Sequence, residues 1–146
     1  MITECLKIKH RSVLITGQGR SGTSAVASIF YNLGYYMPSA CKLSTLEDEI
    51  LRQYLSGGNI ESIVAELSLR QSQHNLVAWK DPKLYKKYGR ELIKLLGKDW
   101  VYVIIFRDPY AIAMRNNLSM SYDRDDALLM GAKNNWKLLP SHSNLD

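Results

Sequence analysis

Cysteine and histidine are both scarce in this chain. Of its 146 residues, two are cysteines, Cys5 and Cys41, and three are histidines. Cys5 and Cys41 fall at no metal-ligand spacing, and two thiols so far apart make a poor disulfide framework. They read as reduced thiols, which fits a cytoplasmic protein. His10, His74 and His142 share no motif with any candidate site, so no metal is expected. Long apolar runs are also missing. No stretch approaches the roughly 20 apolar residues of a membrane span. The opening Met1-Ile2-Thr3-Glu4-Cys5-Leu6-Lys7 has no apolar region of the kind a secretory signal needs. Nothing repeats at solenoid length, and no tract is of low complexity.

What remains is the composition of a soluble globular domain, 46 % hydrophobic and 23 % charged. The length suits one domain with a single core over residues 1–146. Lys and Arg number 19 against 14 acids, a net charge of +5. That excess suits an anionic ligand and, on charge alone, would equally suit nucleic acid or an anionic membrane. The cations gather at strand ends and no RNA-reading motif is present, so nucleic acid is set aside.

Three times a short apolar run ends in a cation and a turn and then opens into a helix. Val13-Leu14-Ile15-Thr16 runs into Gly17-Gln18-Gly19-Arg20-Ser21-Gly22-Thr23-Ser24. Leu76-Val77-Ala78-Trp79 ends in Lys80-Asp81-Pro82, and Val101-Tyr102-Val103-Ile104-Ile105-Phe106 in Arg107-Asp108-Pro109. Strands alternating with helical patterns imply a three-layer α/β/α domain with a central parallel sheet, and the unbroken third run is expected at that sheet's centre. The carboxyl ends of parallel strands share one edge, where ligands bind. Arg20, Lys80 and Arg107 would therefore converge on one crevice fit for a polyanion.

Between the strands, Ala25, Val26, Ile29, Phe30 and Leu33 fall on one helical face. Residues 35–45 read as a loop. A helix is expected to start near Ser44 or Thr45, with Glu47, Asp48 and Glu49 in a first turn that favours acids. After the break at Gly57-Gly58-Asn59, the residues Ile60, Ile63, Val64 and Leu67 repeat at helical spacing. Asp81-Pro82 and Asp108-Pro109 each supply an N-cap and a first-turn proline. Leu84, Tyr88, Leu92 and Leu95 should face inward from the helix after Pro82. A further helix is expected from Asp123, and Pro140 ends it.

The first loop follows Gly-x-x-x-x-Gly, as in a P-loop, but Thr23 stands where the ATPase lysine belongs. Backbone amides of residues 19–23 can still wrap a phosphate at a helix N-terminus. Gly-Gln-Gly-Arg-Ser-Gly-Thr-Ser resembles the 5′-phosphosulfate loop of sulfotransferases that use 3′-phosphoadenosine 5′-phosphosulfate (PAPS). Trp79-Lys80-Asp81-Pro82-Lys83-Leu84 is similar to the Lys-Asp-Pro segment of bacterial and protein-tyrosine members, and Val101 to Pro109 looks like their 3′-phosphate strand and turn. Order and spacing match over roughly residues 12–119.

The resemblance implies a P-loop NTPase-like fold and a sulfuryl transfer from PAPS to a small-molecule or carbohydrate hydroxyl, with no metal required. Gly19, Arg20, Ser21, Gly22, Thr23 and Ser24 would hold the 5′-phosphate and the sulfuryl group. Lys80 would neutralise charge on the bridging oxygen, and Arg107 would bind the 3′-phosphate. Arg115 stands where the family has a serine for that phosphate, and either pairs with it or points away. Leu46-Glu47-Asp48 looks like the Glu-Asp pair of bacterial members, which makes Glu47 the candidate base; acids in a first helical turn also occur for dipole reasons alone. Related enzymes usually run on into further C-terminal segments. A PAPS-binding protein without catalysis and, less favoured, a P-loop nucleotide kinase or NTPase are the alternatives.

Overall fold

The structure is a computed structural model that describes residues 11–38, 45–84, 88–112 and 114. Strand β1, Ser12–Gly17, is buried along its whole length. It lies between β2, Ala78–Lys80, and β3, Trp100–Ile105, and pairs in parallel with both, giving the order β2-β1-β3. Val13 is opposite Ala78 and Val101, and Ile15 is opposite Lys80 and Val103. This is an open, all-parallel sheet in a mixed α/β chain.

Because successive strand residues face opposite ways, the sheet has two apolar faces, and helices cover both. Leu14, Val77, Trp79 and Trp100 pack with Leu51 and Leu55 of α2 (Glu49–Gly57), Ile63 and Leu67 of α3 (Ile60–Gln73), and Leu92 of α4 (Gly89–Leu96). On the other face Val13, Ile15 and Ala78 pack with Ala27 of α1 (Thr23–Asn32), flanked by Val26 and Phe30. The break at Gly57-Gly58-Asn59 is built from two caps. Gly58 turns left-handed (φ 74°) to end α2, and the Asn59 side chain accepts the Ser62 N–H to open α3. Among the described residues, no helix is long and apolar enough to cross a membrane.

Several expectations need correction. The strand expected at the sheet's centre, β3, is flanked on one side only among the described residues, and Val101, Ile104 and Phe106 are exposed. The central strand is β1, whose burial follows from having a neighbour on each side. Helix α1 rests on the sheet through Thr23 and Ala27, leaving Ile29 and Leu33 in solvent. The small Ala27 sets the close approach, so the buried stripe is rotated away from the bulkiest residues. On α4, Leu96 packs against the core and Leu95 is exposed, because the ladder 84, 88, 92 continues by fours to 96. Helix α2 begins at Glu49, not near Thr45, and Asp48 is its N-cap. Tyr36, expected in a loop, forms an isolated parallel bridge with Val77 just before β2. The helix expected from Asp123, with Pro140, and also Cys5, Cys41, His10 and His142, lie outside the described residues.

Candidate functional site

The loop after β1 is held in a conformation unfavourable for a side chain. Arg20 has φ 70°, a left-handed geometry that costs a non-glycine residue about 1–2 kcal/mol. The Ser21 amide donates to the Gln18 carbonyl and closes the turn. Gly17 sits where a Cβ would meet the Ile105 carbonyl at 2.7 Å, so glycine lets the loop leave against β3. Asp48 and Asn59 cap α2 and α3 with their side chains, but α1 opens at Gly22 (φ 103°) with no side-chain cap. Its first-turn N–H groups are therefore donors left for a ligand.

Residues of this turn line a cavity of about 540 Å³, within the roughly 300–1,000 Å³ of small-molecule sites. Gly19, Arg20, Gly22, Thr23 and Ser24 line it from the loop and α1, Lys80 and Pro82 from the end of β2, and Arg107 from beyond β3. Thr45 and Glu47, from the segment before α2, complete the wall. Among the described residues, three cations thus share one cavity with a single carboxylate. Arg107 Nη1 donates to the Arg20 carbonyl at 3.3 Å, tying the third strand's exit to the loop.

Lys80 is the most constrained of the three cations. It is the last residue of β2 and only 2 % exposed. Its ammonium donates to Glu47 Oε1 at 2.9 Å, the Thr45 carbonyl at 2.8 Å and Ser24 Oγ at 3.2 Å. Ser24 Oγ in turn donates to the Thr45 carbonyl. Glu47 Oε2 lies 3.3 Å from Arg52 of α2, so the carboxylate is held between two cations. The dipole explanation for Glu47 fails, because the residue precedes the helix and its N-cap. Leu46, left-handed at φ 53°, turns the chain there, and Glu47 lines the cavity.

The neighbouring acid has a different task. Asp48 is 3 % exposed, accepts the Leu51 N–H at 3.0 Å and forms an ion pair with Arg70 of α3. Burial works to lower the Arg70 pKa, but the hydrogen bond and charge of Asp48, helped by Glu66, outweigh it and hold the pKa above its usual value. This pair clamps the start of α2 onto α3, immediately beside Glu47.

Asp81 and Asp108 sit as caps. Asp81 Oδ1 accepts the Lys83 N–H at 2.7 Å, and Asp108 Oδ1 accepts the Tyr110 N–H at 2.9 Å. Thr16 Oγ1 donates to the Asp81 carbonyl and the Asp81 N–H to the Ile15 carbonyl, fastening this turn to β1. Burial pushes the Asp81 carboxyl above the ordinary carboxylate range; the Lys83 amide opposes the rise and the Glu47 charge adds to it.

Eight of the residues named from sequence thus meet in one cavity: Gly19, Arg20, Gly22, Thr23, Ser24, Glu47, Lys80 and Arg107. Ser21 does not join them. Its Oγ is buried without a hydrogen-bond partner among the described residues, and it would lie 3.1 Å from a Cβ at Gly17. Arg115 lies outside the described residues. Trp79 and Tyr35 pack against the two cores, Tyr54 flanks one of them, and Tyr36 stacks on His74, so none of these rings lines the cavity. Sequence reasoning missed Thr45 and Arg52. Thr45 acts through its backbone carbonyl, which no residue type announces. Arg52 is five residues from Glu47, outside the i, i+4 spacing that marks helix ion pairs.

No family model, curated protein or solved structure matches the chain.

Proposed function

We propose that the chain binds PAPS in this cavity and transfers its sulfuryl group to a hydroxyl acceptor, on a P-loop NTPase-like α/β/α domain. One observation carries this proposal: the exits of three parallel strands bring Arg20, Lys80 and Arg107 to one cavity beside the uncapped helix α1, and the segment before α2 adds Glu47 to it. The α1 amides and Arg20 suit the 5′-phosphosulfate. Arg107 suits the 3′-phosphate, with Arg115 a second candidate for it. Thr23 is buried at the position of the ATPase lysine, which weighs against a nucleoside-triphosphate kinase.

In the transfer, the acceptor oxygen attacks sulfur as the bond from sulfur to the bridging oxygen breaks. The hydroxyl proton goes to Glu47, and the products are a sulfate ester and 3′-phosphoadenosine 5′-phosphate. Lys80 stabilises the charge that grows on the bridging oxygen. An ammonium has three protons, and Ser24, Thr45 and Glu47 take all three. Lys80 must therefore exchange one partner on binding, and the 3.2 Å bond to Ser24 is the longest. The same saturation favours the second reading, a PAPS-binding protein in which Lys80 stays locked to Glu47 and no transfer follows.

Radiolabelled PAPS with a panel of hydroxyl acceptors tests the two. Transfer by the wild type, with Lys80→Met lowering kcat at least a hundredfold while the affinity for 3′-phosphoadenosine 5′-phosphate falls less than threefold, supports catalysis by Lys80. Equal losses in both would remove its transition-state role. Tight nucleotide binding with no transfer would establish the binding protein.

A further inference from the structure

Two cations from different elements hold the Glu47 carboxylate. Its Oε1 accepts from Lys80, the last residue of β2, at 2.9 Å, and its Oε2 lies 3.3 Å from Nη1 of Arg52, in the first turn of α2. The backbone that carries Arg52 is well fixed. Its N–H donates to the Asp48 carbonyl at 3.0 Å, Asp48 is paired with Arg70, and Leu51 and Leu55 anchor the inner face of α2 in the core. The Arg52 charge also reaches the turn after β2, where it opposes the rise that burial causes at the Asp81 carboxyl.

We propose that Arg52 is a positioning residue: it grips Glu47 at Oε2, so that Lys80 can turn toward the donor without drawing the carboxylate along. This inference rests on the sulfuryl-transfer proposal for the tasks of Lys80 and Glu47, whereas the grip is a property of the folded chain. All three protons of Lys80 are engaged within the protein, and the bridging oxygen must take one. A carboxylate tied to Lys80 alone would follow the ammonium, because a largely buried anion left without its cation is costly. Base and charge stabiliser would then stay paired, which is the locked arrangement of the non-catalytic reading. With Oε2 on Arg52, the carboxylate keeps a cation of its own, and Oε1 stays in place to take the acceptor proton. A guanidinium suits the task because it does not lose its charge. The Arg52 side chain is 38 % exposed, and so open an ion pair contributes little to stability. Its consequence is where Glu47 is held.

The test has two arms, and the first needs no turnover. Arg52→Met removes the charge and keeps an apolar stem. In that background the coupling between Lys80→Met and Glu47→Gln, taken from urea melts, should grow at least about fivefold in the unfolding equilibrium constant, since no second cation then relieves the carboxylate. The second arm uses radiolabelled PAPS with p-nitrophenol and D-glucose as acceptors. Arg52→Met should lower kcat at least about tenfold and change the affinity for 3′-phosphoadenosine 5′-phosphate less than about threefold, and Arg52→Lys should bring kcat back to within about threefold of wild type. A coupling that is unchanged or smaller, a parallel fall in kcat and nucleotide affinity, or Arg52→Lys no better than Arg52→Met would overturn the proposal. A larger coupling with no transfer by the wild type would remove the sulfuryl-transfer reading and leave the grip standing. Transfer with the coupling unchanged would do the reverse.

Discussion

The Lys80–Glu47 pair offers a quantitative test of how the cavity is built. In Lys80→Met the side chain keeps its length and apolar stem but loses the ammonium, so three acceptors lose their donor at once. Breaking a fully buried ion pair costs about 3–5 kcal/mol. Glu47 keeps Arg52 at 3.3 Å, and its side chain is 17 % exposed, so the expected cost is lower, about 2–3 kcal/mol. Glu47→Gln leaves Lys80 an oxygen to donate to and should cost about 1–2 kcal/mol. The double variant needs no cation for a neutral amide, and should fall short of the sum by at least about 1 kcal/mol. For a domain near this size a loss of 2–3 kcal/mol lowers Tm by roughly 5–10 °C. Urea melts of the four proteins at pH 7, followed by circular dichroism, would measure the cycle. Single losses that add to within about 0.5 kcal/mol, or a Lys80→Met loss below that figure, would refute the coupling.

Further outcomes follow from the same geometry. Asp81→Asn keeps the oxygen that caps Lys83 and removes a buried charge. Because burial raises the folded-state pKa of Asp81, its contribution is full below the unfolded carboxylate pKa and is lost as pH rises through the folded value. The variant should therefore gain stability relative to wild type as pH rises from 3 to 7, whereas Asp81→Ala should lose about 1 kcal/mol with its cap; melts across that pH range decide. Gly17→Ala should cost about 1–3 kcal/mol, since its Cβ would meet the Ile105 backbone at 2.7 Å, and a denaturation midpoint unchanged from wild type would contradict it. Arg70→Met strands the buried Asp48 and should cost about 3–5 kcal/mol, with Arg70→Met/Asp48→Asn recovering at least about 1 kcal/mol in urea melts.

Local chemistry was the most legible part of the sequence. Asp81 and Asp108 cap because an acid before proline satisfies a nearby amide whatever the tertiary surroundings. The strand-end cations converge because parallel strands must share an edge. Long-range packing was less legible. Ile29 and Leu33 share a face with Phe30 in any helical plot, yet the small Ala27 decides how α1 meets the sheet. Glu47 and Asp48 are adjacent acids with opposite fates, one in the cavity with Lys80 and the other buried under Arg70. Only the partners, 33 and 22 residues away, distinguish them. Ser21 reads as a phosphate ligand from its place in the loop, but its hydroxyl is buried beside Gly17 and is not among the described groups that line the cavity.

Thermal unfolding with added 3′-phosphoadenosine 5′-phosphate, beside AMP and beside ATP with magnesium, tests the nucleotide site most directly. A ligand at a hundred times its dissociation constant stabilises the native state by about 2.7 kcal/mol, several degrees for this chain. The expected result is a shift that requires the 3′-phosphate and disappears in Arg107→Ala. An equal shift with AMP, a shift with ATP and magnesium alone, or no shift with any of them would contradict it.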